Sequence, residues 1–234
     1  MKTYTISSIE KLQSWICKNL IPLGFLILLT GMFWIKERSD YHRLFYIFLA
    51  LPTFFVIAIK PSLLKPIIKN PIVIAFFAFS IYISLSLVWS EPSDSKIPLK
   101  NPIYIFLLFC GALLCHNNTK VSIEKIISLA TVIAAISAIA SSIYFLYFDP
   151  EADQRITGYR ALYNPLLSSH VYGMFTAIAL SCLTLGKRNK ILWSACSLSL
   201  IIFLILSGSR TPFVGIIICL ATLLILRPTP KAVL

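Results

Sequence analysis

Four side chains have the type and the setting to do chemistry: Arg155, Arg160, Arg210 and His170. Arg210 ends the polar link "SGSR", Ser207 to Arg210, which joins two apolar runs of 16 residues each, Ile191–Leu206 and Thr211–Leu226. Arg155 and Arg160 lie in "FDPEADQRITGYRALYNPLLSSH", which joins two other apolar runs. A guanidinium is a planar fork of N–H donors that stays charged even when partly dehydrated, and this suits it to phosphate. The SGSR link adds hydroxyls and a glycine, so its backbone N–H groups can approach a ligand. Pro212 then opens a helix whose N-terminus carries partial positive charge.

The pattern predicts an anion site. The competing expectation is that each arginine snorkels to lipid headgroups or pairs with Asp149, Glu151 or Asp153. That expectation fits Arg210 least, because no acidic residue is its neighbour in sequence. His170 is expected about one turn into the helix that follows Asn164-Pro165, within reach of the same cleft. An imidazole of near-neutral pKa suits removal of a proton from a hydroxyl, but a helix histidine bonded to a carbonyl, or to Ser168 or Ser169, is the stronger expectation. His42 and His116 fall in connections and are read as solvated.

The elements that must position these residues follow from composition. With 58% hydrophobic and 13% charged residues, the chain belongs with bilayer proteins. Uncharged apolar stretches give about eight candidate spans: Leu20–Ile35, Leu44–Ile59, Pro71–Trp89, Pro102–Cys115, Ile126–Phe148, Leu166–Leu185, Ile191–Leu206 and Thr211–Leu226. Several are shorter than the roughly 20 residues of a perpendicular helix, so flanking residues are expected to extend them. The fold expected is an all-α polytopic transmembrane bundle, with residues 1–19 as a cytoplasmic segment, 20–226 as one helical membrane domain and 227–234 as a cytoplasmic tail.

Orientation rests on charge. With the N-terminus inside, 13 of the 21 Lys and Arg fall on the inner face and 8 on the outer face, so both termini are expected in the cytoplasm. Arg155, Arg160 and Arg210 then share the outer face, against the trend. Because topology accounts for most of the basic surplus, a nucleic-acid partner is not expected. The first apolar run ends in "GMFWIKERSD" without a small-residue cleavage pattern, so it is read as a retained helix rather than a signal peptide.

Cys17, Cys110, Cys115, Cys182, Cys196 and Cys219 form no CxxC and no zinc spacing with histidine, and no metal or redox site is expected. An ion-coupled carrier usually places Asp, Glu or Lys inside its spans, and the eight spans contain none. A lipid-linked carrier of the flippase type, relying on backbone and hydroxyls, stays open, as does a non-catalytic membrane scaffold. The serines Ser80, Ser84, Ser86, Ser141 and Ser142 are read as helix-packing contacts.

"RITGYRALYNP", an apolar helix, a short basic turn, a second apolar helix and "SGSRTPFVG" together resemble the O-antigen ligase and O-antigen polymerase superfamily of bacterial inner-membrane proteins. The motifs cover Arg155 to Leu226, and hydropathy alone carries the likeness further back. The resemblance implies a glycosyltransferase that takes a glycan from undecaprenyl diphosphate without metal or other cofactor. The acceptor would be a lipid A-core sugar in a ligase and a further repeat unit in a polymerase. It also implies that Arg155 and Arg210 hold the diphosphate facing the periplasm, with Arg160 as a third candidate. In ligases of this family an outer loop bearing the general-base histidine follows the point where this sequence stops, so a C-terminally truncated, ligase-like chain is expected.

Overall fold

The computed structural model describes residues 2–86, 96–118, 122–148, 155–185 and 189–226; side chains are described there except at 2–8, 38, 96–101, 115–118, 160 and 226. Among the described residues every element is a helix. Eight are apolar, and they are labelled here α1 (Ile9–Phe33), α2 (Ser39–Ile59), α3 (Pro71–Ser86), α4 (Lys96–Asn118), α5 (Ile123–Phe148), α6 (Pro165–Thr184), α7 (Lys190–Ser207) and α8 (Thr211–Leu226).

Five of these, α1, α2, α5, α6 and α7, are long and apolar enough to cross a bilayer. A sixth span is possible if the short helix Pro61–Ile68 and α3, which meet at a bend of 87°, form one broken crossing. The chain is a multi-pass membrane protein. Each of the eight expected apolar segments contains a helix among the described residues. The helix that carries the first apolar run extends upstream to Lys2, well before Leu20.

The chain forms two compact units. The first comprises Met1–Leu28 and Tyr41–Ile126. In it, α1 and α2 each contain one π turn, Ile16–Leu20 and Tyr46–Ala50, and each turn is followed two residues later by a proline, Pro22 and Pro52. Proline offers no N–H to the carbonyl four residues before it, so the helix widens there. One carbonyl released in this way is that of Phe48, and it lies directly over Gly24, where no Cβ could be accommodated. Gly24 thus lets α1 and α2 close to backbone contact. Ile67, Val73 and Cys110 form a small buried core between the Pro61–Ile68 helix, α3 and α4.

The second unit comprises Leu29–Asp40 and Ile127–Leu234 and holds the larger core. Ala130, Ala134 and Ala138 recur at four-residue spacing on α5 and are fully buried, as small residues at a helix–helix contact should be. Tyr172 of α6 is buried between Phe33, at a ring separation of 5.4 Å, and Phe203 of α7, at 4.1 Å. Its hydroxyl is 2.8 Å from Ser137 Oγ of α5, so the phenol has a partner in an otherwise apolar core.

Hydroxyl side chains inside the helices bond mostly to their own helix. Ser80 donates to the Phe76 carbonyl (2.8 Å), Ser84 to Ser80 (2.9 Å), Ser181 to Ala177 (2.6 Å), Ser199 to Ala195 (2.6 Å) and Thr222 to Ile218 (2.8 Å). This is the usual way in which Ser and Thr satisfy themselves in a medium without water.

Candidate functional site

The sequence-predicted residues all lie in the second unit, at the ends of α6, α7 and α8. Between α5 and α6 the segment from Arg155 onward is fixed by two apolar anchors. Ile156 and Leu162 are both fully buried in the core that holds Tyr172 and Phe203. The segment closes on itself, with the Gly158 N–H donating to the Leu162 carbonyl (3.0 Å) and the Leu162 N–H to the Tyr159 carbonyl (3.1 Å). A Cβ at Gly158 would stand 2.6 Å from that of Leu162, so only glycine fits the closure. The 3-10 turn Arg160–Leu162 packs against the turn Gly31–Phe33.

The Asn164-Pro165 pair starts α6. Asn164 Oδ1 accepts from the N–H groups of Leu166 (2.9 Å) and Leu167 (3.3 Å), while Pro165 occupies the first helical position, where its missing N–H costs nothing. Two anchors and a cap therefore hold the exposed Arg155 in place.

The SGSR link is a helix stop and restart. Gly208 ends α7 in the left-handed region at φ 63°, ψ 12°, with its N–H donating to the Ile205 carbonyl (3.1 Å). Ser207 is buried and donates to the Leu204 carbonyl (2.7 Å), and its Oγ accepts from the Ser209 N–H (3.4 Å). Arg210 is exposed just before α8 starts.

Gly208 brings the two motifs together: a Cβ built on it would be 3.8 Å from Arg155 Nε. The guanidinium of one predicted arginine therefore packs on the turn that carries the other, two residues before Arg210. A second contact fixes α8 itself. Pro212, in its first turn, packs on Gly173 of α6, one turn beyond His170. Arg155, Arg210 and His170 thus gather at the same end of α6 and α8. Among the described residues neither Arg155 nor Arg210 forms an ion pair, and Asp149, Glu151 and Asp153 lie outside those residues. The Arg160 side chain also lies outside them, though its backbone sits in the same loop.

His170 is exposed, and its Nδ1 is 2.6 Å from the Leu166 carbonyl, so Nδ1–H donates to its own helix and a neutral ring leaves Nε2 as the acceptor. Ser168 and Ser169 donate to the carbonyls of Pro165 (3.1 Å) and Leu166 (2.9 Å) rather than to the imidazole. His42 lies in the first turns of α2 beside Tyr41, at 6.1 Å between ring centroids; the His116 side chain is outside the described residues. Among the described residues Cys17, Cys110, Cys182, Cys196 and Cys219 form no disulfide, and no three His, Cys, Asp or Glu side chains converge as a metal would need.

Over 225 residues, 95% of its length, the chain is 45% identical to a protein from Pseudomonas aeruginosa named O-antigen ligase. The chain is a relative of O-antigen ligase. It spans about half, 55%, of that ligase's length. The match takes in the early helices as well as Arg155 to Leu226, so the likeness to the ligase extends well beyond the two motifs that first suggested it. No protein-family model matches this ligase relative, and no solved structure does.

Sequence reasoning missed the anchors. Ile156 and Leu162 flank Gly158 in a stretch dominated by polar residues, and nothing in their periodicity separates them from lipid-facing side chains. The available signal was the glycine, since a glycine between two large aliphatic residues in a loop often marks a tight closure.

Proposed function

We propose that this chain forms the diphosphate-binding part of an O-antigen-ligase-type glycosyltransferase of the bacterial inner membrane. On this reading Arg155 and Arg210, with Arg160 beside them, hold the diphosphate of an undecaprenyl-diphosphate-linked glycan at the periplasmic face. The hydroxyl of a lipid A-core acceptor attacks the anomeric carbon as the bond to the diphosphate oxygen breaks. The hydroxyl proton passes to a base, and the guanidinium groups offset the negative charge that gathers on the leaving oxygen.

The observation that carries this reading is the packing of Arg155 Nε on Gly208, because it places two guanidinium-bearing segments at one turn. Homology to the ligase supports the reaction class. The surplus of Lys and Arg on one face supports the orientation.

The test is binding of undecaprenyl diphosphate to the purified chain in nanodiscs, followed by transfer to lipid A-core with a ligase that contains this segment. Arg155→Ala and Arg210→Ala should each weaken binding by about 10- to 100-fold, the range for a charge-assisted hydrogen bond to phosphate. Arg210→Lys should recover only part of it, since a point charge lacks the planar fork. Unchanged binding in both alanine variants would remove the site. Movement of the lipid-linked glycan across the bilayer with no new glycosidic bond would favour a carrier instead, and extension of the glycan without core acceptor would favour a polymerase.

A further inference from the structure

A second polar site lies in the first unit and does not rest on the proposed glycosyl transfer. Glu10, Gln13 and Ser14 fall on one face of the first helix at three- and four-residue spacing, and Lys18 follows one turn later. They face Lys60 and Leu63, at the end of α2 and in the 3-10 turn that follows it, across a cavity of about 570 Å³. That volume is within the range of small-molecule sites.

The cavity sits between the polar first part of α1, ahead of the apolar run that opens near Leu20, and the end of α2, a setting that matches the depth of a lipid headgroup. Its wall is mixed. Lys18 and Lys60 supply two cations, Glu10 a carboxylate, Gln13 and Ser14 half-buried hydrogen-bonding groups, and Leu63 an apolar edge. A bare polyphosphate would meet the carboxylate as a like charge, and a simple cation would meet two lysines. An occupant that carries both a phosphate and an ammonium satisfies both sets.

We propose that this cavity binds the headgroup of a phospholipid bearing a phosphate and a primary amine, with Lys18 and Lys60 on the phosphate and Glu10 on the ammonium. The acyl chains leave along the apolar edge.

The test uses the full chain in nanodiscs of phosphatidylethanolamine or phosphatidylglycerol, with lipid retention after detergent extraction read by native mass spectrometry. One phosphatidylethanolamine should stay bound, and Lys18→Ala with Lys60→Ala should reduce its retention by about tenfold. Lys65→Ala with Lys69→Ala removes the same charge near the same helix end but outside the cavity, and should change nothing. Glu10→Gln should abolish the preference for ethanolamine over glycerol headgroups while keeping phosphate binding. All four lysines and Glu10 are exposed, so helicity by circular dichroism should match wild type in every variant. The proposal fails if the Lys18/Lys60 variant retains lipid like wild type, or if the Lys65/Lys69 variant loses it equally. It also fails if Glu10→Gln leaves the headgroup preference intact, or if soluble phosphoethanolamine displaces the lipid, which would make the site one for a water-borne ligand.

Discussion

Pro212 stands so close to Gly173 that a methyl group at position 173 would come within 2.6 Å of the proline Cβ. The start of α8, and with it Arg210, is seated on α6 through a contact that only glycine permits. Gly173→Ala must therefore push α8 outward or strain both helices. Overpacking of this kind costs about 1–3 kcal/mol, so the thermal midpoint in detergent should drop and undecaprenyl diphosphate binding should weaken with it. A variant as stable as wild type would mean that α8 is not held there.

Gly208 makes a different prediction, because space is not its constraint. A methyl group there would meet Arg155 Nε at an ordinary 3.8 Å, but φ of 63° disfavours any residue with a Cβ. Gly208→Ala should cost about 1 kcal/mol, and Gly208→Asn less, since asparagine tolerates the left-handed region better. Thermal unfolding of the two variants checks the order; a reversed order would point to side-chain contact rather than backbone strain.

His170 is predicted to bind no proton in the reaction. Its Nδ1 rests on the Leu166 carbonyl, a neutral group, so an imidazolium formed by protonation at Nε2 lacks the carboxylate partner that supports a catalytic base. His170→Ala should leave undecaprenyl diphosphate binding unchanged and transfer within about twofold in a ligase that contains this segment. General-base removal typically costs about 10²- to 10⁴-fold, so a loss of that size would instead make this imidazole the base.

Tyr172→Phe removes a polar link in the larger core. The ring contacts with Phe33 and Phe203 are retained, while the 2.8 Å bond to Ser137 is lost. The expected cost is about 1 kcal/mol, with Ser137→Ala in the Tyr172→Phe background adding little further. A double-mutant cycle on thermal stability measures it, and additive losses would show that the two hydroxyls do not depend on each other.

The apolar segments were legible because uncharged runs in this composition leave few other readings, and each of the eight contains a helix. Their lengths were less so. The start of α1 was hidden because Glu10, Lys11 and Lys18 interrupt the hydropathy, although on a helix Ile9, Leu12 and Ile16 return to shared faces. The bend between Ile68 and Pro71 was marked by prolines at 61, 66 and 71, but sequence does not give the angle at which a chain resumes.

At the site, residue chemistry pointed to Arg155 and Arg210, and glycine identified where a turn must lie. What brought the two together was not local. The contact between Arg155 and Gly208 depends on Ile156 and Leu162 entering the core, a tertiary event that spacing along the chain does not encode.

The self-bonded hydroxyls of the helices alter how the chain is read by the machinery that inserts it. A serine whose proton already rests on a carbonyl one turn back enters hydrocarbon with little of the penalty that transfer scales assign to it. The stretch Pro71–Ser86, with serines 80, 84 and 86 all occupied in this manner, should partition from the translocon into lipid as a more oily segment than its letters suggest.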